Sequence, residues 1–274
     1  MKRQLVLPNF LTASSLCCGL FVIFKMNMIQ PGAAVFEQVQ YCVKILLFAS
    51  VLDVLDGALA RAMRVESEFG GFFDSMADSV SFGIAPSVVV LKTLSILPGT
   101  FLAWCLTAGA ITYSVGGVLR LVRYSTTPPT TDPEKKGVFT GLPITAACMA
   151  VVSPTLLMMS DTWQEFCPTS DLARNIVAVG AFFLLAYLMV SRWRFFSLKS
   201  INFRVANLRL IAGVASFSSV ILLLALNNFS MALFIVSWTY ILCAWSVACI
   251  HLARGQRQAA LDDEKDDQES ESHS

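Results

Sequence analysis

Long apolar segments alternate with short polar connections along almost the whole chain. A helix that crosses the hydrocarbon core of a bilayer needs about 20 predominantly apolar residues. Composition agrees, because 55% of the residues are hydrophobic and only 14% are charged, which excludes an ordinary soluble domain. The pattern predicts an all-α, polytopic membrane helix bundle of about eight transmembrane helices, near 8–28, 34–62, 70–96, 99–123, 140–160, 173–196, 207–227 and 229–252.

The basic residues are divided unevenly between the two sides that these segments create. Lys and Arg concentrate on the cytoplasmic side of membrane proteins, so the richer side is predicted to be cytoplasmic. Both termini then lie in the cytoplasm, and we expect a multi-pass protein of the cell membrane with the lipid bilayer, and no nucleic acid, as partner. The poorer side holds Lys25, Lys44, Lys92 and Arg174, and the richer side holds Lys2, Arg3, Arg61, Arg64, Arg120, Arg123, Lys135, Lys136, Arg192, Arg194, Lys199, Arg204, Arg209, Arg254 and Arg257.

The net charge of +1 conceals an acidic C-terminal tail. Residues 262–274 contain seven acidic residues and one lysine, a composition typical of solvated disorder. We therefore predict one membrane domain over residues 1–261 and a disordered tail over 262–274.

Four aspartates lie at helical spacing within the second and third segments: Asp53, Asp56, Asp74 and Asp78. Residues three and four apart share a helix face, and a short connection makes the two segments antiparallel, so the two faces can meet. Ionisable side chains at membrane depth are costly and usually mark a functional site. Hard carboxylate oxygens favour Mg²⁺ or Mn²⁺, so we expect a polar, metal-binding cavity that opens towards the cytoplasm.

Small residues and one arginine surround the acids. Gly57, Ala60 and Gly70 leave room for a large group, and Arg61 offers a planar donor suited to phosphate. Metals and arginine together favour a phosphate ester or pyrophosphate as ligand. The plainer explanation, ion pairs within a helix bundle, has too few cations close in sequence.

The spacing D-x-x-D-G-x-x-A-R-x8-G-x-x-x-D-x-x-x-D is matched at every defined position between Asp53 and Asp78. In this the chain resembles the CDP-alcohol phosphatidyltransferase family. The resemblance implies two divalent cations per site, a nucleotide diphosphate contacted by the small residues and by Arg61, and a homodimer. It also implies that all four aspartates are metal ligands and that Asp78 doubles as the general base.

The flanking residues are similar to those of bacterial and archaeal phosphatidylserine synthases. The similarity lies in the run from Ser67 to Pro86, in Pro8-Asn9-x-x-Thr12, and in Leu119-Arg120-Leu121-Val122-Arg123. It implies attack by the hydroxyl of L-serine on CDP-diacylglycerol, which gives phosphatidylserine and CMP. Residues 205–261 match only as apolar helices.

Four further residues are candidates with two interpretations each. Arg120 and Arg123 share a face of the fourth segment and either bind the serine carboxylate or a phosphate, or anchor the helix at lipid headgroups. Asn9 and Thr12 either hydrogen-bond the CDP moiety or cap and pack the first helix.

Two other functions fit parts of the pattern. A transferase of the same family could use glycerol 3-phosphate, an inositol phosphate or choline as acceptor. A divalent-cation transporter could use intramembrane acids along its path, but the second segment is mostly apolar beyond Asp53. This favours a pocket over a path.

Overall fold

The computed structural model of the chain describes residues 6–29, 35–63, 67–94, 99–126, 138–191, 194–196 and 228–246. These ranges hold nine α-helices, one π-helix and a two-stranded ribbon. The helices are α1 (Val6–Met28), α2 (Val35–Met63), α3 (Glu68–Asp78), the π-helix (Ser79–Ile84), α4 (Ala85–Thr93), α5 (Phe101–Thr126), α6 (Ile144–Met158), α7 (Asp161–Phe166), α8 (Asp171–Val190) and α9 (Phe229–Ser246), and the strands are β1 (Val138–Thr140) and β2 (Arg194–Phe196).

Five helices, α1, α2, α5, α8 and α9, are long and apolar enough to cross a membrane. This agrees with a polytopic membrane helix bundle. The predicted span 70–96 corresponds to α3, the π-helix and α4 in series, and 140–160 corresponds to the 15-residue helix α6. The predicted span 207–227 and the acidic tail lie outside the described residues, so the count of eight and the orientation of the termini stay predictions.

Helix α6 lies at the centre of the bundle. It is apolar on all sides, and most of its residues are buried where it packs against α2, α4 and α8. A helix that is hydrophobic all round needs neighbours on every side. Helices α2, α4 and α8 provide those neighbours for α6.

Pro86 explains where the hydrogen-bond pattern changes between α3 and α4. Proline has no N–H, so the carbonyl of Phe82, four residues earlier, loses its α-helical donor. Tyr113 Oη of α5 donates to that carbonyl at 3.0 Å. Ser114 Oγ, the next residue of α5, donates to the carbonyl of Gly83 at 3.0 Å. Side chains of α5 thus bond two carbonyls of the π-helix, one of which Pro86 leaves without an α-helical donor. These bonds fix α5 against the helix that carries the second pair of acids.

Helix α1 joins the two helices that carry the acids. Ser81 Oγ of the π-helix donates to the carbonyl of Ser15 at 3.1 Å, and Ser15 Oγ donates to the carbonyl of Ala49 in α2 at 3.3 Å. One turn further along α1, a Cβ built on Gly19 would lie 2.7 Å from the Cα of Ser81. The backbones therefore approach to a distance that only glycine permits.

The ribbon of β1 and β2 is a departure from the all-α expectation. The strands pair antiparallel, with Phe139 opposite Phe195. Gly141, which follows β1, has a φ of +88°, where an L side chain is strained. A Cβ there would also lie 2.5 Å from the carbonyl oxygen of Met189. The turn after β1 thus holds the start of α6 against the end of α8.

We expect Gly19→Ala to destabilise the protein by about 1–3 kcal/mol, because overpacking against backbone cannot be relieved by a side-chain rotation. The melting temperature of the detergent-solubilised protein measures the effect. Gly180→Ala is the matched control, since a Cβ there would meet nothing within 4 Å. Equal melting temperatures for the two variants would contradict the close approach of α1 to the π-helix.

Candidate active site

Three of the four predicted aspartates converge between α2 and α3. One carboxylate oxygen each from Asp53, Asp56 and Asp74 lies within 4.8 Å of the others. Asp56 is buried, and the other two are half-buried. The expectation that two acidic helix faces meet is confirmed for these three residues, which we call the carboxylate cluster.

Asp78, the fourth aspartate, is buried one helical turn beyond Asp74 and is not part of the 4.8 Å group. It interacts electrostatically with all three acids of the carboxylate cluster and with Arg120 of α5. A cation is therefore present on the α5 side of Asp78. The fourth aspartate thus occupies a different environment from the other three.

Helix α1 reaches the carboxylate cluster through Thr12. Its hydroxyl donates to Asp56 Oδ2 at 2.7 Å, and both side chains are buried. Asn9 lies one turn earlier, with its Oδ1 3.5 Å from a Cβ built on Gly70. The sequence left open whether these two residues face the site or only pack the helix, and the structure directs the Thr12 hydroxyl at an acid of the cluster.

Gly70 lies in the first turn of α3, beside its N-cap. Its N–H donates to Ser67 Oγ at 3.0 Å, which satisfies one of the free donors at the start of that helix. A Cβ at Gly70 would lie 3.0 Å from the same oxygen. Glycine therefore keeps the capping geometry, in addition to leaving space beside the acids.

The remaining motif residues lie on α2. Gly57 is half-buried and follows Asp56 directly. Ala60 and Arg61 belong to the last turns of that helix, but their side chains are outside the described part of the structure.

Arg120 and Arg123 have different partners although they lie three residues apart on α5. Arg123 Nη1 donates to the carbonyl of Val190 at the end of α8, at 2.9 Å. A cation there satisfies a helix-terminal carbonyl and complements the helix dipole. Arg120 instead interacts electrostatically with Asp78 and with Tyr240 of α9.

Tyr240, which interacts electrostatically with Arg120, is a residue that the sequence did not single out. It is half-buried and packs against the hydrophobic core. Its segment carries no motif and only an apolar pattern. The feature of the sequence that could have pointed to Tyr240 is its phenol hydroxyl, because such a group within an apolar helix needs a polar partner.

The chemistry of the carboxylate cluster fits a divalent cation. Three hard oxygen donors from two helices lie close enough together to hold one metal ion. Three like charges in a partly buried position also repel one another, and a cation removes that repulsion.

A family model described as CDP-alcohol phosphatidyltransferase matches residues 5–193. The chain is also similar to three proteins named CDP-diacylglycerol–serine O-phosphatidyltransferase. That of Helicobacter pylori is 31% identical over 241 residues, or 86% of this chain and 92% of the relative, so the similarity extends beyond residue 193 and reaches α9. That of Bacillus subtilis is 30% identical over 190 residues (69% and 89%), and that of Methanocaldococcus jannaschii is 32% identical over 149 residues (53% and 59%).

Members of this family generally use divalent cations, as the carboxylate cluster also suggests. The matched region contains every residue of the cluster together with Thr12, Asp78 and Arg120. The chain therefore belongs to the CDP-alcohol phosphatidyltransferase family.

Proposed function

We propose that this enzyme transfers the phosphatidyl group of CDP-diacylglycerol to the hydroxyl of L-serine, giving phosphatidylserine and CMP. The observation that carries the proposal is the convergence of Asp53, Asp56 and Asp74 within 4.8 Å in a chain of this family. The names of the similar proteins support serine as the acceptor.

We assign Asp53, Asp56, Asp74 and Asp78 to two divalent cations, Mg²⁺ or Mn²⁺. When bound, these ions neutralise the pyrophosphate and stabilise the departing CMP. Gly57, Ala60, Arg61, Gly70 and Asn9 are assigned to the CDP moiety, beside the cluster. Arg61 follows Ala60 at the end of α2, where a guanidinium suits phosphate.

Asp78 is assigned as the general base. An aliphatic hydroxyl is a weak nucleophile, so a base must accept its proton during attack. The serine oxygen forms a bond to the β-phosphorus, the bond from that phosphorus to the CMP oxygen breaks, and the proton passes to the Asp78 carboxylate. The position of Asp78, one turn from Asp74 and near Arg120, suits a group that faces the acceptor.

Thr12 is assigned as a positioning residue for Asp56. A buried hydroxyl 2.7 Å from one carboxylate oxygen fixes the orientation of that carboxylate. Loss of a group that orients a metal ligand in this way typically lowers metal affinity or activity by about 10–100-fold.

The setting of the reaction is also part of the proposal. The excess of Lys and Arg on one side supports a position of the carboxylate cluster at the cytoplasmic face of the cell membrane. A homodimer is part of the proposal on the family resemblance alone. The diacyl chains of the substrate would lie between helices, in contact with the bilayer.

Isolated membranes given CDP-diacylglycerol, Mn²⁺ and radiolabelled acceptors test the function directly. We expect label from L-serine to enter lipid, together with release of CMP. Among the described residues, Arg120 is the cation that interacts with Asp78, and serine is compatible with such a site. A phosphorylated acceptor would add about −1.5 to −2 charge beside four acids. If label enters lipid from glycerol 3-phosphate and not from serine, the acceptor is glycerol 3-phosphate and the proposed serine reaction is wrong.

Asp78→Asn is expected to lower serine-dependent CMP release by about 100-fold or more, since general-base catalysis contributes ~10²–10⁴-fold. The variant should remain inserted in the membrane at native abundance. Asp161→Asn, an exposed acid at the start of α7, is the matched control and should retain activity. Full activity in the Asp78 variant would eliminate this residue as the base.

Thr12→Val is expected to raise the Mn²⁺ concentration for half-maximal activity by about tenfold, the lower end of the effect of removing a group that orients a metal ligand. Thr12→Ser keeps the hydroxyl and should stay near the native value. Thr107→Val on the exposed face of α5 is the control. An unchanged Mn²⁺ requirement in Thr12→Val would contradict the positioning role.

A further inference from the structure

Helix α9 is fixed in the bundle by two side-chain contacts. The hydroxyls of Ser237 and Ser153 of α6 lie 3.1 Å apart. At the start of α9, Lys44 Nζ of α2 lies 5.3 Å from the centroid of the Phe229 ring. These contacts set the depth of α9 relative to the central helix and to the helix that carries two of the acids.

The second of these contacts places Tyr240 at the depth of the carboxylate cluster. Asp53 and Asp56 follow Lys44 by nine and twelve residues, and Tyr240 follows Phe229 by eleven. At ~1.5 Å per residue, these residues lie about 14–18 Å along their helices from the level at which Lys44 contacts Phe229. Ser237, between Phe229 and Tyr240, contacts α6, and Tyr240 interacts electrostatically with Arg120, which also interacts with Asp78. Helix α9 therefore advances from Phe229 towards the cluster.

A separate contact places Arg120 at the same depth. Tyr113 Oη bonds the carbonyl of Phe82, which fixes the level of α5 against the π-helix. Arg120 follows Tyr113 by seven residues, and Asp78 precedes Phe82 by four. Because α5 runs opposite to the α3–α4 helix, both residues lie on the cluster side of that bond. Arg120 accordingly interacts electrostatically with both Asp78 and Tyr240.

We propose that Tyr240 is an acceptor-specificity residue, whose hydroxyl, together with Arg120, binds the carboxylate of an amino-acid acceptor next to Asp78. A guanidinium and a phenol hydroxyl both donate hydrogen bonds, and a carboxylate offers several acceptor positions. A half-buried phenol is open enough to meet a small polar ligand. This inference rests on the proposed serine-dependent reaction.

The position of α9 in the sequence supports this role. The motif that provides the cluster lies within residues 53–78, and the match to the family model ends at residue 193. Similarity to the Helicobacter pylori relative, whose name specifies serine, covers 86% of this chain and so extends past residue 193. A helix outside the region matched by the family model, whose Tyr240 interacts electrostatically with Arg120, is suited to selecting the acceptor rather than to binding CDP.

Steady-state kinetics of the full-length protein with Tyr240→Phe test the inference. We expect KM for L-serine to rise by at least about fivefold, the factor that corresponds to the loss of one hydrogen bond. KM for CDP-diacylglycerol and the melting temperature should stay unchanged. Tyr187→Phe, an exposed tyrosine of α8, is the matched control and should leave both KM values unchanged. Tyr240→His, which keeps a donor, should recover part of the serine affinity.

The outcomes separate this inference from the proposed function. If the native protein releases CMP independently of serine, both the proposed function and this inference are wrong. Serine-dependent native activity with a native KM for serine in Tyr240→Phe would overturn the inference alone. A parallel rise in both KM values with a lower melting temperature would also overturn it, because it would indicate a structural role for the ring.

Discussion

The rest of the structure depends on holding like charges together inside an apolar bundle. Asp53, Asp56 and Asp74 place carboxylate oxygens within 4.8 Å of one another, where like charges repel one another at close range. Such a group persists only if a rigid scaffold fixes it and a cation compensates it. The helices around it act as that scaffold, and the family's need for divalent ions follows from the same physics.

Close helix contacts provide the rigidity. Helix α1 bonds α2 through the carbonyl of Ala49 and meets the π-helix at Gly19, where the backbones approach closely. On the other side, Tyr113 donates to the carbonyl that Pro86 leaves without an α-helical donor. The run from Ser81 to Pro86, which resembles that of serine-using enzymes, therefore has a packing function in addition to any influence on the acceptor.

The parts of the fold that could be predicted were those that depend on local pattern. Hydrophobic length located five helices that can cross a membrane, and i, i+3, i+4 spacing indicated that the acids share helix faces. The ribbon of β1 and β2 escaped prediction because three-residue strands leave no periodic signal. The π-helix escaped as well, since it lies where Pro86 leaves the Phe82 carbonyl without an α-helical donor and Tyr113 of another helix donates to that carbonyl.

The sequence by itself determined the family, the membrane class and the acids, because motif spacing and apolar length are properties of a single segment. Tertiary structure decided which partner each remaining side chain meets. Arg120 and Arg123 are equivalent in the sequence, yet one interacts with Asp78 and the other bonds the end of α8. Tyr240 interacts with Arg120 only because α9 packs into the bundle, where Ser237 contacts Ser153 of α6. Helical spacing defines a face, and the neighbour opposite that face depends on how the helices pack together.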